Sequence, residues 1–308
     1  MMLRAVFLLL VLLGTLRGDP FVTYEFSGGR FGDCLLAYLH AKWLSYKYDL
    51  PLLYKPFQYS DELCLHGKER PFIQFYPVQL LGRIQLDPSR NRTIFSCPYF
   101  PEDPSDRWIN PRRYRFDVDW KDQEFKRIAR EMIAPKSALQ MTIPPKNSVN
   151  VAIHIREGGG YDTDHTRLWD PLKLPPIHFY QEGLKKVIEL FKGKAIYCFL
   201  FTDALEPSLL AAELYQSIPP ELGVQIDYRI ENNNHSANVL EDFFSFFNFD
   251  VLIHPQSNYS VVAAGIGDFA LTYSPVNFKR EEKTITITEA KLDRDDALFK
   301  QVLERVGS

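Results

Sequence analysis

Hydrophobic and polar residues first form a clear pattern at residues 21–26, where β-branched and aromatic residues predict a strand. A glycine-rich stretch, Ser27–Gly32, follows it. Apolar residues at helical spacing then predict a helix from Asp33 to Tyr48. A strand, a glycine turn and a helix in this order are typical of the first βα unit of a nucleotide-binding domain.

The second half of the chain alternates strands and helices more clearly. Predicted strands cover residues 149–155, 195–201, 224–230, 250–254 and 269–273, and predicted helices cover 178–191, 206–216 and 240–247, with a helix start at 261–266. Strands that alternate with helices favour a parallel sheet with right-handed crossovers. We expect the last 18 residues to form a charged amphipathic helix that packs on the first domain.

The region from Pro51 to Pro145 is rich in proline and aromatic residues and has a weaker pattern. One helix, residues 122–132, is predicted within it. The segment Pro144–Asn147 marks the predicted domain boundary. We therefore predict an α/β protein with two Rossmann-like domains, residues 19–146 and 147–308.

The first 18 residues differ from the rest. A short basic start, Met1–Arg4, precedes an apolar run, Ala5–Leu13, that is shorter than the roughly 20 residues needed to span a bilayer. This pattern predicts a signal peptide over residues 1–18, and hence export to a periplasm or a secretory lumen. An uncleaved membrane anchor is the alternative interpretation.

Composition narrows the function classes. With 36 basic and 39 acidic residues the net charge is −3, so the chain lacks the basic character of a nucleic-acid-binding protein. Its 4 cysteines are too few for a disulfide-framework fold. Cys64 and Cys97 are candidates for one bridge in an exported protein.

Polar residues collect at the carboxyl ends of three predicted strands in the second half. These are His154-Ile155-Arg156, Thr202-Asp203 and the segment His254–Ser260, just before a helix. In an open parallel sheet, ligands bind beyond the carboxyl ends of the strands. We therefore expect these three segments to converge on one site.

The chemistry of these residues suits a nucleoside diphosphate. Arg156 offers a planar fork of donors to phosphate oxygens. Ser257 and Ser260, next to a helix N-terminus, would assist phosphate binding. Asp203 could accept hydrogen bonds from a guanine base. The alternatives are a surface ion pair for the arginine and helix caps for the aspartate and serines.

The glycine turn before the first helix has two interpretations as well. As a structural feature, it is a tight turn that needs positive φ, with Asp33 as the helix N-cap. As chemistry, Asp33 would lie at the mouth of a cleft between the two domains and take a proton from an acceptor hydroxyl.

Two Asp-x-Asp triplets, residues 117–119 and 162–164, raise the question of a metal. Asp162, Asp164, His165 and His154 could hold a divalent ion. The second triplet follows three consecutive glycines, residues 158–160, which favours a mobile substrate loop instead. We predict no metal site.

The same segments resemble a known pattern. His154-Ile155-Arg156 resembles the His-x-Arg motif of the GDP-fucose-dependent superfamily, which includes protein O-fucosyltransferases and the α1,2- and α1,6-fucosyltransferases. Phe201-Thr202-Asp203 is similar to its second motif, and Ser257-Asn258-Tyr259-Ser260 to its third. Gly29-Arg30-Phe31-Gly32-Asp33 is similar to the Gly-Arg-Phe-Gly-Asn turn of the protein O-fucosyltransferases. The resemblance covers roughly residues 149–267 together with this turn.

The resemblance implies a GT-B fold, with a cleft between two Rossmann-like domains, and an inverting transferase that needs neither metal nor cofactor. It implies GDP-fucose as donor and a glycan or protein hydroxyl as acceptor. The charge balance predicts no nucleic-acid partner, and the short apolar run predicts no stable membrane span after signal removal. The N-terminal domain would be the acceptor side, and the C-terminal domain would bind the GDP-sugar.

The resemblance also implies roles for single residues. Arg156 would neutralise the departing diphosphate, and Asp33 would be the base. Donor-binding roles fall to the glycine turn and the three motifs: Gly29, Arg30, Phe31, Gly32, His154, Asp203, Ser257, Asn258, Tyr259 and Ser260.

The chain departs from the family pattern at three positions. Glu157 stands where many members have a second arginine, and Asn258 and Tyr259 stand where serine or threonine and phenylalanine are common. Three alternatives therefore stay open. They are transfer from another sugar nucleotide such as GDP-mannose, a catalytically inactive relative that binds glycan or nucleotide, and a metal-dependent transferase that uses Asp162 and Asp164.

Overall fold

The computed structural model describes residues 18–26, 28–81, 86–99, 118–157, 169–231, 233–282 and 284–307. The chain divides into two compact units, residues 1–137 and 138–308, here called unit 1 and unit 2. The boundary predicted from the sequence, residues 146/147, falls inside unit 2. The signal-peptide segment lies outside the described residues except for Gly18, so export remains a prediction.

Unit 1 is an α/β unit with a small parallel sheet. Its strands are β1 (Phe21–Tyr24), β2 (Leu53–Tyr54), β3 (Arg70–Pro71), β4 (Val78–Leu80) and β5 (Ile94–Cys97), and its helices are α1 (Phe31–Tyr48), α2 (Leu65–Lys68) and α3 (Gln123–Ile133). The strand order is β1-β5-β4, with β2 beside β1 through the bridge Val22–Leu52 and β3 paired with β2. All of these pairings are parallel.

Two helices of unit 1 confirm the sequence pattern, with shifted starts. The first helix begins at Phe31 with Arg30 as its N-cap, so the N-cap position predicted for Asp33 is wrong. Helix α3 begins after Asp122, whose carboxylate accepts a hydrogen bond from the Phe125 backbone N–H at 2.9 Å. Trp43 of α1 meets Phe125 edge to face at 5.0 Å, which joins the two helices.

Unit 2 is built on a six-stranded sheet. Its strands are β6 (Val149–Ile155), β7 (Ile196–Thr202), β8 (Gln225–Tyr228), β9 (Val251–Ile253), β10 (Leu271–Glu281) and β11 (Thr284–Arg294), and its helices are α4 (Ile177–Leu190), α5 (Pro207–Tyr215), α6 (Val239–Ser245), α7 (Asn258–Ile266) and α8 (Asp296–Gly307). The spatial order is β11-β10-β9-β6-β7-β8.

The first five strands of this sheet are parallel, as predicted. Taken in chain order they stand 3-2-1-4-5 from the β8 side, which is the doubly wound order of dinucleotide-binding folds. The central strand β6 is buried along nearly its whole length, because helices cover both faces of such a sheet. The order reverses between β6 and β9, and this is the topological switch point.

The carboxyl end of the chain corrects the sequence prediction. The strand expected at 269–273 is the start of β10, which continues to Glu281 and turns into the antiparallel strand β11. The terminal helix therefore begins only at Asp296. It also packs on unit 2, because Val302 lies in the core of that unit and Arg305 pairs with Asp250. The prediction that it packs on the first domain is wrong.

Two further features bear on the sequence predictions. All four cysteines are free thiols, so the candidate Cys64–Cys97 bridge is not formed. Within the described ranges, none of the helices combines the length and the apolar character that crossing a membrane requires.

Candidate functional site

The switch point of unit 2 brings two of the predicted segments together. β6 and β9 are neighbours, and Arg156 follows the end of β6. The segment after β9, residues 254–257, leads directly into helix α7. Because the strands are parallel, both segments leave the sheet at the same edge, where ligands bind in doubly wound folds.

A side-chain contact joins the two segments. The Arg156 guanidinium donates to the Ser257 hydroxyl at 3.5 Å, and Ser257 is only 3% exposed. Ser257 is the N-cap of α7, yet its side chain makes no capping hydrogen bond to the helix. The hydroxyl therefore faces the arginine, and the interpretation of Ser257 as a side-chain cap is wrong. An arginine and a helix N-terminus at one point form an anion-binding arrangement.

Asp203 ties the ends of two strands together. It follows β7, and its Oδ1 accepts a hydrogen bond from the backbone N–H of Glu157, just past β6, at 2.6 Å. The N-cap of the next helix, α5, is Glu206, so Asp203 is not a helix cap. Its carboxylate is half-buried at the same sheet edge as Arg156.

The remaining predicted residues of unit 2 pack around α7. The ring of His154 lies 5.5 Å from the ring of Tyr259, whose hydroxyl donates to the Val239 carbonyl at 2.7 Å. Burial raises the pKa of Tyr259 well above its ordinary value. Ser260 is fully buried, and its hydroxyl donates to the Ser257 carbonyl at 3.2 Å. These contacts hold α7 on the sheet, and the donor-binding roles of the three residues remain predictions.

Asn258 has a simpler position. It is the first residue of α7 and is half-buried, next to the hydroxyl that faces Arg156. Backbone N–H groups in the first turn of a helix point away from the helix toward whatever lies before it. Asn258 therefore lies where an anion bound by Arg156 would meet the helix.

The glycine turn in unit 1 is held by Asp33. The Asp33 Oδ2 accepts a hydrogen bond from the Arg30 backbone N–H at 3.1 Å, which is one of the two bonds of a capping box. A Cβ atom on Gly29 would lie 2.3 Å from the same oxygen, so only glycine fits beneath this carboxylate. Gly28 has φ +85°, a conformation that favours glycine.

Phe31 and Gly32 lie in the first turn of α1 and are buried. The ring of Phe31 is 2% exposed and lies 6.1 Å from the ring of Tyr59 and 6.3 Å from that of Phe57. Phe31 therefore anchors the start of the helix in an aromatic cluster. Its predicted contact with the donor, like those of Gly29, Arg30 and Gly32, remains a prediction.

Sequence reasoning missed several residues at the same edge of unit 2. Arg229 follows β8 and pairs with Asp242 at 2.6 Å. Burial raises the pKa of the Asp242 carboxyl, and the hydrogen bond from Arg229 opposes this effect. Leu205 and Ile230, just past the ends of β7 and β8, are 88% and 81% exposed.

The two Asp-x-Asp triplets lie largely outside the described residues. Of the first, Asp119 accepts a hydrogen bond from the Lys121 backbone N–H at 3.0 Å and so stabilises a turn. Asp117, Asp162, Asp164 and His165 lie outside those ranges. In the part of the chain that the structure describes, no three His, Cys, Asp or Glu side chains gather as metal ligands would.

Comparisons with known proteins agree with this fold. No protein-family model matches the sequence, and no curated protein matches it. A mutant of Arabidopsis thaliana FUT1, solved in complex with GDP, is similar in structure, with a TM-score of 0.53, 12% identity, and coverage of 86% of this chain and 71% of that one. The NodZ α-1,6-fucosyltransferase, solved after soaking with GDP-fucose, has a TM-score of 0.50 and 12% identity, with 91% of this chain and 100% of that one covered.

The motif-based resemblance is therefore confirmed at the level of the fold. Both solved structures are matched over most of their length at an identity that carries information on fold alone. The predicted class, α/β of GT-B type with two Rossmann-like units, is confirmed.

Proposed function

We propose that the protein is an inverting, metal-independent glycosyltransferase that transfers fucose from GDP-fucose to a hydroxyl of a glycan or protein. One observation carries this proposal: Arg156 and the N-terminus of α7 meet at the switch point of unit 2, with the guanidinium 3.5 Å from the Ser257 hydroxyl. The similar fold of FUT1 and NodZ, which were solved with GDP and GDP-fucose, supports the choice of nucleotide.

The diphosphate would lie between Arg156 and the first turn of α7. Breaking the bond between the sugar and the phosphate leaves negative charge on the departing GDP. A guanidinium donates two parallel hydrogen bonds to phosphate oxygens and stays charged at any physiological pH. The positive end of the helix dipole also stabilises the negative charge on the phosphate. Both groups are in place before the reaction, so they stabilise the leaving group without reorganisation.

The nucleoside would lie toward β7 and β8. One oxygen of Asp203 is occupied by the Glu157 N–H, and the other is oriented by that bond. A carboxylate in this position accepts from the N1–H and the N2 amino group of guanine, which uracil and adenine do not present in this combination. The exposed side chains of Leu205 and Ile230 offer apolar contacts to a base plane.

The acceptor hydroxyl must lose a proton as it attacks the sugar. The sequence predicts Asp33 as the base, and this role remains a prediction. An inverting reaction needs one carboxylate near the acceptor and no second nucleophile, because a single displacement inverts the anomeric carbon.

Calorimetric titration of the protein with GDP, UDP and ADP, each in EDTA, tests the nucleotide site. We expect binding of GDP and not of UDP or ADP. Arg156→Ala should weaken GDP binding by about 10- to 100-fold, because a charged hydrogen-bond donor is lost from a partly buried site. Arg127→Ala is the matched control, since it removes an exposed arginine on α3 of unit 1 that pairs with Glu124.

The outcomes separate the alternatives. Equal binding of all three nucleotides, or full GDP affinity in Arg156→Ala, would contradict the proposed site. GDP release from GDP-fucose but not from GDP-mannose would support fucose as the sugar. Binding of GDP without release of sugar from any GDP-sugar would favour the inactive relative.

A further inference from the structure

A cavity of about 580 Å³ lies in unit 1, at the opposite edge of the sheet from the glycine turn. Its walls come from the chain at the start of β1, the end of α1 with the residues that follow it, the first residue of β3, and one side chain of α3. The cavity thus surrounds the amino end of β1, whereas the glycine turn follows the carboxyl end of that strand. Its volume falls within the roughly 300–1,000 Å³ of small-molecule sites.

Lys42 contributes a fixed ammonium group to the wall of this cavity. Its Nζ lies 2.8 Å from Oε1 of Glu69, and the two side chains are only 16% and 8% exposed. The same Oε1 accepts a hydrogen bond from the Tyr38 hydroxyl at 2.9 Å. An ammonium group carries three N–H donors, so the pairing with Glu69 leaves donors for a ligand. Because Glu69 balances its charge, Lys42 supplies the cavity with a directed donor and no net charge.

Three more charged side chains line the cavity: Arg70, Asp19 and Asp49. All three are exposed, and none takes part in a side-chain hydrogen bond or ion pair among the described residues. Arg70 offers a planar set of donors, and the two carboxylates are acceptors only. Donors and acceptors therefore face the same space without being used by one another.

The backbone at Asp49 has a conformation that glycine adopts more easily. Its φ is +52°, in the left-handed region, and it ends helix α1. Helices commonly end with a glycine in this conformation, because a residue without a Cβ atom meets no steric penalty there. Ending the helix does not by itself require a carboxylate, so the aspartate adds an acceptor to the cavity at some cost in backbone strain.

Two aromatic rings give the cavity apolar surface. The ring of Phe21 meets Phe75 edge to face, with centroids 5.1 Å apart. The ring of Tyr46 lies 5.7 Å from that of Trp43 and 5.8 Å from that of Phe125. Both rings are held by their neighbours within unit 1, so packing a ligand against them costs little side-chain entropy.

We propose that this cavity binds a neutral saccharide, at a site additional to the nucleotide site proposed for unit 2. A sugar ring has apolar C–H faces, which would pack on Phe21 and Tyr46. Its hydroxyls both donate and accept, as Lys42 and Arg70 on one hand and Asp49 on the other require. An anion would be repelled by the carboxylates, and an apolar ligand would remove water from the charged groups without replacing its hydrogen bonds.

Calorimetric titration of the full chain tests the class of ligand. The probes are the disaccharides lactose, maltose, cellobiose and diacetylchitobiose, with inorganic phosphate and free alanine as the contrasting anion and zwitterion. We expect at least one disaccharide to bind with a Kd in the millimolar range or below, and neither contrasting probe to bind in this range. Absence of binding by every disaccharide, or binding of phosphate or alanine alone, would overturn the proposal.

Arg70→Ala assigns the binding to this cavity. The variant should bind the same disaccharide about 10-fold more weakly, because a charged hydrogen-bond donor is lost. Arg90→Ala is the matched control, since it removes another exposed arginine of unit 1, one that donates to Gln79 at 2.6 Å. We expect the control to bind the disaccharide as the wild type does. An equal loss of affinity in the two variants, or no loss in Arg70→Ala, would overturn the assignment.

Asp49→Gly separates binding from folding. Glycine favours the left-handed φ at this position, so the Tm should stay the same or rise. The affinity for the disaccharide should nevertheless fall by about 10-fold, because the carboxylate acceptor is gone. A variant that keeps its Tm and binds the disaccharide as tightly as the wild type would overturn the role of Asp49 in the cavity. Failure of the wild-type protein to bind GDP would instead contradict the proposed function, so the two failures are distinguishable.

Discussion

His254 is a titratable residue that the fold keeps neutral. It is 4% exposed, at the end of β9, and its Nδ1–H donates to the Pro255 carbonyl at 2.9 Å. Burial lowers the pKa of His254 to about 4 from its ordinary 6.5, although the Pro255 hydrogen bond and Asp293 act in the opposite direction. A charged imidazolium would be destabilised at this position, because water cannot solvate it.

The stability of the protein should therefore fall in mild acid. The pKa of His254 is lower in the folded protein than in the unfolded chain. The stability that depends on neutral His254 is therefore fully present above pH 6.5, its ordinary pKa, and is lost as the pH falls toward 4. At about pH 4.5 the loss should reach about 2–3 kcal/mol, since each pKa unit corresponds to about 1.4 kcal/mol. Urea unfolding at neutral and mildly acidic pH measures it.

His254→Asn provides the comparison for that experiment. The Asn amide can donate to the Pro255 carbonyl as Nδ1 does, but it does not titrate. The variant should be less stable at neutral pH and should lose less stability in acid than the wild type. The same acid loss in both proteins would assign the effect to other groups.

At the scale of elements, the contact of α4 with the sheet depends on a missing side chain. A Cβ on Gly183 would lie 2.5 Å from Cδ1 of Tyr273. That ring cannot move aside, because it stacks on Phe179 with centroids 5.1 Å apart. The glycine lets the helix approach the strands closely, as in other doubly wound folds.

Gly183→Ala should therefore destabilise the protein by about 1–3 kcal/mol through overpacking, despite the better helix propensity of alanine. Gly67→Ala in α2 is the matched control, since no atom lies within 4 Å of its added Cβ. We expect the control to be neutral or slightly stabilising. Equal midpoints of urea unfolding for the two variants would contradict the packing argument.

The second strand of the β10–β11 hairpin has a strand pattern in the sequence, although the sequence analysis did not predict a strand there. Thr and Ile alternate over residues 284–288, which is a strand signal. The end of β11 overlaps the last 18 residues, for which the sequence predicted a terminal helix. In α8, Val302 fits into the core of unit 2, and Arg305 donates to Asp250 and to the Lys146 carbonyl.

At the scale of the whole molecule, we expect the proposed reaction to need no metal. Arg156 and the N-terminus of α7 supply positive charge where metal-dependent transferases use a divalent ion. GDP release from GDP-fucose should thus stay within about twofold after treatment with EDTA, because the guanidinium stays charged without any ion. A loss in EDTA that Mn²⁺ or Mg²⁺ restores would instead assign a role to Asp162 and Asp164.

Local sequence determined most of unit 2. The strands at 149–155 and 251–253 and the helices between them follow from runs of apolar residues long enough to be recognised one by one. Parallel alternation then determined that Arg156, Asp203 and Ser257 share one sheet edge, because carboxyl ends of parallel strands coincide. The fold and the candidate nucleotide site were therefore predictable together.

Only the tertiary structure determined which polar side chains form hydrogen bonds or ion pairs, and with which partners. Asp33 and Glu25 are both acidic residues near one glycine turn, and no local pattern separates them. Their difference comes from partners distant in the chain: Lys55 and Ser96 reach Glu25 from 30 and 71 residues away, whereas Asp33 bonds a residue only 3 positions back. Contacts between strand ends depend on sheet order and on side-chain packing, which a linear pattern does not encode.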